Sequence, residues 1–571
     1  MIRQPEGPLP TSRDEMDALG WSELDVLIVT GNAYVDHPAF GEALLGRWLV
    51  EHGFRTGIVP QPRWDTPDDL AVMGRPRLFV GVTAGSLDSM LAAYTAFRKK
   101  RRDDAYTPGG RAGARPNRAS IVYANLARRA FPSIPVVLGG IEASLRRVVH
   151  YDFWTDALRR PIVLDAKADA VAYGMAERTV VEVARRIEAG RDLIGMLGVV
   201  VPVRKGQDVP AGVEPRELPS LEEIRADPRL LMDATLAMER QVHHGTPWLV
   251  QRVEGEAVLV APPAEPLSTG ELDRLYALPF TREAHPRHSE AVPALEMIRH
   301  SVTSHRGCGG GCGFCSLALH QGRRVQSRSR TSILGEVRRL VTLEGWTGSV
   351  TDVGGPTANM WGARCAHLST RNACDRSSCL HPRICRHFEV DQGAIVGLLR
   401  AVALVPGVRH VRVASGVRHD LALESPEYLV ALVGEFTGGQ LKVAPEHLCD
   451  RVLRLARKPG RRRFEELVTA FERLSREAGK EQYVVPYFLS ALPGCTDADM
   501  EALAGWLRRR GWSPRQVQCF VPTPGTVATA MFFAGVDTRG RPIPVARTDA
   551  ERLHQHRTLT GGPGGRADRH G

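Results

Sequence analysis

The chain has 571 residues and a net charge of +11, with an isoelectric point of about 9.3. Its hydrophobic content of 43% and charged content of 24% are typical of a globular protein in water, and its length allows roughly two to four domains. No apolar run approaches the ~20 residues that cross a bilayer, and residues 1–20 lack the apolar segment of a signal peptide. We therefore expect a cytoplasmic protein without a membrane partner.

The positive charge is compatible with a nucleic-acid or other anionic partner, but no clustered basic face is visible in the sequence. The clearest basic segment is the Gly-rich stretch Lys99–Arg118, which lacks apolar periodicity and is predicted to be a loop. Two interpretations stay open, a solvated surface insertion and a clamp for phosphate or a polynucleotide.

The first 200 residues alternate buried strand patterns with helical patterns. The predicted strands are Leu24–Thr30, Thr56–Val59, Arg77–Val82, Ile134–Gly140 and Ala168–Gly174. Such alternation predicts a parallel, Rossmann-like sheet built of βαβ units. Ligands of these sheets lie at the carboxyl ends of the strands, where Gly31, Asn32, Asp36, His37, Gly139, Gly140, Glu142 and Gly174 are found.

Two segments of this domain, Val136–Ser144 (VVLGGIEAS) and Ala168–Thr179 (ADAVAYGMAERT), resemble the second half of known cobalamin-binding domains. The match is incomplete, because Asp36 and His37 are adjacent rather than spaced as in cobalamin-ligating motifs. The expected fold is therefore similar to a cobalamin-binding domain, but we do not expect cobalamin to bind.

The second half of the chain repeats a strand followed by a helix. The predicted strands are Ile298–Ser304, Gly348–Pro356, His410–Gly416, Leu441–His447, Tyr483–Ser490 and Val517–Pro522. Six β/α repeats predict an open, partial (β/α)6 barrel of the TIM type, whose functional groups gather at the carboxyl ends of the strands. The predicted organisation is a domain over residues 1–200, a connector 201–295, a core 296–545 with a Cys-rich insertion 361–390, and a disordered tail 546–571.

Three cysteines with the spacing C-x3-C-x2-C, Cys308, Cys312 and Cys315, follow the first strand of the core. Thiolates suit iron–sulfur clusters and zinc, and three cysteines without a close fourth leave one metal position open. The glycines between them allow the backbone to wrap closely around a cluster. A zinc loop, or cysteines that are simply buried or disulfide-bonded, are the alternatives.

This spacing, with Phe314 before the last cysteine, resembles the signature of radical S-adenosylmethionine (SAM) enzymes. The resemblance implies one [4Fe-4S] cluster on Cys308, Cys312 and Cys315, with SAM bound at the open iron. It also implies a reduced flavodoxin or ferredoxin-type electron donor, and cleavage of SAM to a 5′-deoxyadenosyl radical.

Several strand ends of the core carry residues suited to SAM. Gly354 and Gly355 resemble the glycine pair that receives the SAM amino group. Ser415 and Arg418 are candidates for its ribose or carboxylate, and Glu446 for a ribose hydroxyl or the amine. For each residue alone, an ordinary turn at the end of a strand is an adequate alternative.

A second cysteine group follows the second strand of the core: Cys365, Cys374, Cys379 and Cys385. Four cysteines in a polar segment can hold a structural zinc ion or an auxiliary cluster, although the spacing is not that of a zinc ribbon. Local disulfides or free thiols are the other interpretation.

The ordered motifs SVTSHRGCGGGCGFC, TDVGGPTANM, ASGVRHDLA, LKVAPEH, PYFLSALPG and PTPGTVATAMFF together resemble the YgiQ family of radical SAM proteins. The resemblance implies a radical SAM enzyme acting on an unknown substrate, with methylation and RNA modification among the reactions to consider. The alternative from another class is a non-catalytic iron–sulfur or zinc protein that binds nucleic acid or senses redox state.

Overall fold

The computed structural model describes residues 4–203, 209–210, 212–367, 374–514 and 517–561. The chain divides into two compact units. The N-terminal unit comprises Met1–Leu267 and Arg274–Arg299, and the C-terminal unit comprises Ser268–Asp273 and His300–Gly571. Across the described residues, none of the helices combines the length and the apolar character needed to cross a bilayer.

The helices are α1 Arg13–Ala18, α2 Gly41–Glu51, α3 Ser89–Ala93, α4 Ala119–Ala130, α5 Gly140–Leu145, α6 Ile162–Asp165, α7 Glu177–Glu188, α8 Leu221–Ala226, α9 Leu230–His244, α10 Thr269–Ala277, α11 Pro293–Ile298, α12 Leu317–Gln321, α13 Arg330–Leu340, α14 Gln392–Ala403, α15 His419–Ala422, α16 Pro426–Ala431, α17 Asp450–Leu455, α18 Arg461–Glu477, α19 Asp497–Arg509, α20 Val527–Ala534 and α21 Asp549–Thr560. The strands are β1 Val26–Thr30, β2 Thr56–Pro60, β3 Phe79–Thr83, β4 Val136–Gly139, β5 His150–Asp152, β6 Ala157–Arg159, β7 Ala170–Ala172, β8 Val199–Val203, β9 Arg216–Leu218, β10 Leu249–Val253, β11 Glu256–Val260, β12 Ser301–Thr303, β13 His305–Arg306, β14 Gln326–Ser327, β15 Ser349–Val350, β16 Asp352–Gly354, β17 Arg364–Cys365, β18 Phe388–Glu389, β19 His410–Val411, β20 Gln440–Glu446, β21 Tyr483–Ser490 and β22 Val517–Cys519.

The N-terminal unit is built on a nine-stranded sheet with the order β2-β1-β3-β4-β7-β8-β11-β10-β9. The first five strands in this order are parallel to one another. All five residues of β1, VLIVT, are buried, as expected for a strand covered on both faces by helices. The predicted α/β fold with a large, mostly parallel sheet is therefore confirmed.

The segment predicted as a connector contributes three strands, β9, β10 and β11, to this same sheet. β10 and β11 form an antiparallel hairpin, and β11 pairs antiparallel with β8. The hairpin β10–β11 needs only a short turn, whereas β9 pairs parallel with β10 and is connected to it through the helices α8 and α9.

The C-terminal unit contains parallel pairs at each of the six predicted strand positions. β12 pairs with β16, β15 with β19, and β20, β21 and β22 form a three-stranded parallel sheet. Helix α18 shows why the intervening segments are helical: Phe464, Leu467, Val468, Phe471 and Leu474 are buried at helical spacing on one face. The open, partial (β/α)6 barrel stays a prediction.

Part of the segment predicted as a disordered tail is instead the helix α21, Asp549–Thr560. The side chain of Thr548 accepts a hydrogen bond from the backbone N–H of Glu551, whose own side chain accepts from Thr548 in return. Arg552 and Leu559 are buried, so packing as well as capping stabilises the helix. Residues 562–571 lie outside the described part of the chain.

Candidate functional site

The three clustered cysteines lie on a loop that leaves β13 and requires glycine at two positions. Gly307 has φ +82°, and a Cβ there would lie 2.0 Å from the carbonyl oxygen of Arg324. Gly311 has φ +58°, and its Cβ would lie 2.5 Å from the carbonyl oxygen of Ser377. Both contacts are too short for any side chain, so the glycines allow the loop to pack against neighbouring backbone.

Two sulfur atoms of this loop lie close to a glycine, Gly310. A Cβ on Gly310 would lie 3.3 Å from Sγ of Cys308 and 3.7 Å from Sγ of Cys312. Burial, and then the neighbouring sulfurs of Cys312 and Cys308, raise the pKa of Cys315 to about 12. The three thiols therefore occupy one small region, and a positive metal centre would be required to hold Cys315 as a thiolate at neutral pH.

Within the described ranges, no three side chains among histidine, cysteine, aspartate and glutamate form a group that could hold a single metal ion. Each cysteine of a four-iron cluster binds a different iron, so its sulfurs need not converge on one point. Three thiols on one loop, with Gly310 leaving space beside the sulfurs of Cys308 and Cys312, fit such a cluster.

Arg418 reaches the same loop from the start of α15. Its Nη1 donates to Sγ of Cys312 at 3.7 Å, while Nε and Nη2 donate to the two carboxylate oxygens of Asp420 at 2.8 and 2.6 Å. The side-chain amide of Asn359 holds the backbone of Arg418, accepting from its N–H at 2.9 Å and donating to its carbonyl at 3.1 Å. The residue predicted as a SAM contact is thus held against a cysteine of the loop.

Arg418 and Asp420 form a buried ion pair in which each charge stabilises the other, and Arg418 is only 6% exposed. Burial opposes the charge of Arg418, but Asp420 and the sulfurs of Cys312 and Cys308 together raise the pKa of Arg418 above its ordinary value. Burial likewise opposes ionisation of Asp420, yet Arg418 lowers the pKa of Asp420 to about 2.

The glycine pair and Ser415 lie together. A Cβ on Gly354 would be 2.6 Å from Oγ of Ser415, and one on Gly355 would be 2.6 Å from the carbonyl oxygen of His305. Ser415 donates through its hydroxyl to the carboxylate of Asp352. Two of the predicted SAM residues are therefore adjacent, and the packing of the chain itself already requires both glycines.

Glu446 ends β20 with φ +69°, a left-handed conformation for a non-glycine residue. Its carboxylate lies 3.4 Å from the ammonium group of Lys458, and both side chains are largely buried. Burial raises the pKa of Glu446, and Lys458 opposes that rise. Glu446 also contributes to the field at Cys315, so it belongs to the same region.

Sequence reasoning missed five residues of this site: Asp352, Thr357, Asn359, Asp420 and Lys458. Thr357 is the partner of the first cysteine, with its hydroxyl 3.5 Å from Sγ of Cys308. Asp352, Thr357 and Asn359 lie inside the motif TDVGGPTANM, and Asp420 lies inside ASGVRHDLA. Their position as polar residues within these motifs was the signal that could have identified them as site residues.

The Cys-rich insertion packs directly against the cysteine loop. The hydroxyl of Ser378 donates to the carbonyl of Gly310 at 2.5 Å, and the backbone N–H of Cys379 donates to the carbonyl of Gly309 at 3.0 Å. The backbone N–H of Cys385 in turn donates to the carbonyl of Cys379 at 2.7 Å.

All ten cysteines lie in the described part of the chain, and none of them forms a disulfide. Cys365 is exposed on the short strand β17, paired in register with Phe388, three residues beyond Cys385. Cys374 is partly buried next to residues 368–373, which lie outside the described ranges. The disulfide interpretation of the second cysteine group is therefore wrong.

In the N-terminal unit, the polar residues at the strand ends bind one another. Asp36 forms a fully buried ion pair with Arg47 at 2.5 Å. His37 accepts at Nδ1 from the backbone N–H of Ala39, and its Nε2 lies 3.0 Å from Nη1 of Arg282. Both ring nitrogens of His37 are therefore engaged within the unit.

Comparison with known families gives a match to the family model described as "Radical SAM N-terminal", over residues 8–301. A UPF0313 protein of Geobacter sulfurreducens is 50% identical over 557 residues, which cover 96% of this chain and 92% of the relative. A UPF0313 protein of Thermotoga neapolitana is 46% identical over 550 residues, covering 95% and 96% of the two chains.

Among solved structures, the chain is similar to the radical SAM methyltransferase TsrM from Kitasatospora setae with cobalamin and a [4Fe-4S] cluster bound. The TM-score is 0.51 at 17% identity, and the match covers 88% of this chain and 74% of TsrM. The expectation that cobalamin does not bind is thereby corrected. It rested on the local spacing of Asp36 and His37, whereas the fold that this chain shares with TsrM is one that holds cobalamin in TsrM.

Proposed function

Because this chain belongs to the UPF0313 family, the YgiQ type of radical SAM proteins, we propose that it is a radical SAM enzyme. In this proposal Cys308, Cys312 and Cys315 hold one [4Fe-4S] cluster within a partial barrel, and SAM binds at the open iron. The observation that carries it is the glycine-rich loop on which the sulfurs of Cys308 and Cys312 lie beside Gly310, with Cys315 in the same small region. When bound and reduced, the cluster supplies the electron that cleaves SAM to methionine and a 5′-deoxyadenosyl radical, which abstracts hydrogen from a substrate.

The residues of the chain have three tasks in this proposal. The loop glycines allow the backbone to approach the cluster, and Arg418 and Thr357 donate toward its cysteine sulfurs. Gly354, Gly355, Ser415 and Glu446 would hold SAM, with bare backbone for its amino group and polar oxygens for its ribose. The buried surroundings of Glu446 would help to keep water away from a reactive radical.

The proposal is tested by anaerobic reconstitution followed by counting of iron and sulfide. Wild-type chain is expected to hold about four irons and four sulfides. With SAM and either dithionite or reduced flavodoxin, it is expected to release 5′-deoxyadenosine. The triple variant Cys308→Ala, Cys312→Ala, Cys315→Ala should do neither, while Cys449→Ala, a cysteine outside both groups, should behave as wild type.

The same samples separate the enzyme from the non-catalytic alternative. SAM that binds the open iron is expected to change the electron paramagnetic resonance (EPR) spectrum of the reduced cluster, with or without a substrate. An EPR spectrum that does not change when SAM is added would favour an electron-transfer or redox-sensing protein. Bound zinc in place of iron at these cysteines would contradict the proposal outright.

Cobalamin-dependent methyl transfer is the second candidate function, favoured by the fold shared with TsrM over 88% of this chain. Because both ring nitrogens of His37 are engaged, cobalamin would bind here without that histidine as a cobalt ligand. The test is incubation of the full chain with hydroxocobalamin, followed by gel filtration and absorbance of the protein fraction. Retention of about one cobalamin per chain would support this candidate function. Complete loss of cobalamin on gel filtration would contradict this candidate function.

A further inference from the structure

The guanidinium group of Arg418 has one orientation available to it. Asp420 occupies the edge formed by Nε and Nη2, so Nη1 is the corner that remains, and this corner faces Sγ of Cys312. The backbone on either side is held by Asn359, which is itself completely buried. A Cβ on Gly310 would lie 3.3 Å from Nη1, so the glycine leaves the path between guanidinium and sulfur open.

This arrangement puts a positive charge and an N–H donor beside a sulfur that the proposed cluster uses. A hydrogen bond to a cysteine sulfur withdraws electron density from the iron to which that sulfur is bound, and nearby charge acts in the same direction. Burial strengthens the effect, because little water intervenes between the guanidinium and the sulfur. The carboxylate of Asp420 lies on the far edge, so the charge nearest the sulfur is positive.

We propose that Arg418 sets the reduction potential of the cluster by donating from Nη1 to Sγ of Cys312, and raises that potential enough for a biological donor to reduce it. The inference rests on the proposed function, since it requires a cluster on Cys312. One electron enters the cluster from an external low-potential donor such as a reduced flavodoxin. No bond to Arg418 forms or breaks, and its proton stays on the guanidinium.

This role differs from the contact with the SAM carboxylate or ribose that the sequence suggests for Arg418. A SAM contact would act only when SAM is present. A donor to Cys312 acts on the cluster in the absence of SAM, so the potential measured without SAM distinguishes the two roles.

The experiment uses the full chain, reconstituted anaerobically, in four forms: wild type, Arg418→Gln, Arg418→Lys, and Arg400→Gln as the control. Arg400 is an exposed arginine that pairs with Glu435, unlike the buried pair of Arg418 and Asp420. The fraction of reduced cluster is followed by EPR during a redox titration without SAM. Iron content and circular dichroism are measured on the same samples.

For Arg418→Gln we expect the ratio of reduced to oxidised cluster at a fixed solution potential to fall at least tenfold, which is about 59 mV for a one-electron couple. Arg418→Lys keeps the charge but loses the planar fork that binds Asp420, and is expected to shift the potential less. Arg400→Gln should show the same reduction potential as the wild type.

The other possible outcomes would overturn either the proposed function or only the role of Arg418. A wild-type chain without iron would overturn the proposed function itself. A cluster in Arg418→Gln with the wild-type potential would overturn only the role of Arg418. If both Arg418 variants fold but fail to take up iron, Arg418 would be needed for assembly of the loop, and the potential-setting role would likewise be overturned.

Discussion

The side-chain hydroxyl of Ser378 donates a hydrogen bond to the carbonyl oxygen of Gly310, with 2.5 Å between the two oxygens. The same hydroxyl accepts from the backbone N–H groups of Leu380 and His381, at 3.0 and 2.9 Å. Ser378 is completely buried, so one side chain joins the Cys-rich insertion to the cysteine loop. The insertion therefore supports the loop, whatever its own cysteines bind.

Replacing Ser378 by alanine should loosen the cysteine loop. The change leaves the carbonyl of Gly310 and two N–H groups without this partner, at a cost of about 1–3 kcal/mol for buried groups. We expect faster loss of iron to a chelator and a lower melting temperature. Ser377→Ala is the matched control, because Ser377 is exposed and contacts the loop through its backbone carbonyl. Equal rates of iron loss in the two variants would show that the hydroxyl is dispensable.

Replacing Gly311 by alanine should prevent the loop from closing on the insertion. The new Cβ would lie 2.5 Å from the carbonyl oxygen of Ser377, in a backbone conformation with φ +58° that disfavours a side chain. We expect less than a tenth of the wild-type iron after reconstitution, because both the clash and the strain act on the loop itself. Gly416→Ala provides the comparison, since a Cβ there meets nothing within 4 Å. Full iron content in Gly311→Ala would contradict this account of the loop.

Replacing Lys458 by methionine should destabilise the C-terminal unit. The buried carboxylate of Glu446 would lose the ammonium group 3.4 Å away, and removing one member of a buried pair typically costs about 3–5 kcal/mol. The expected result is a clear fall in the urea midpoint of the apo protein. Lys442→Met removes a lysine that is exposed on the same strand as Glu446, and should leave the midpoint nearly unchanged. Equal midpoints for the two variants would mean that the pair contributes little.

The stability of the apo protein should depend on pH through the buried histidine His447. Burial lowers the pKa of His447 to about 4, whereas an unfolded histidine titrates at about 6.5. Between these values the unfolded state binds more protons, so stability is complete above about pH 6.5 and is lost as the pH falls toward 4. We expect the urea midpoint to fall between about pH 7 and about pH 5, and to fall less in His447→Gln.

The control for the pH prediction is His410→Gln, because His410 is exposed at the start of β19. It should retain the full pH dependence of the wild type. An unchanged pH dependence in His447→Gln would assign the acid sensitivity to other buried groups, of which His305, with a pKa lowered to about 4 by burial, is the next to test.

The sequence by itself determined the alternation of strands and helices, and it predicts a metal-binding role for the three clustered cysteines. Both are local properties: the spacing of Cys308, Cys312 and Cys315 is read within eight residues, and a buried strand such as β1 shows its character in five. Motifs in chain order were enough to identify the family that the comparisons confirm.

Only the tertiary structure decided which side chains meet. Ser378 and Gly310 are 68 residues apart, and Arg418 and Cys312 are 106 apart, so no local pattern indicates either contact. The same limit explains Lys458, which is close to several arginines in the sequence yet is buried against Glu446. It also explains the hairpin strands that extend the large sheet. Local periodicity encodes the elements, but the partner of a polar group is chosen by the packing of distant segments, where an unpaired buried group would be costly.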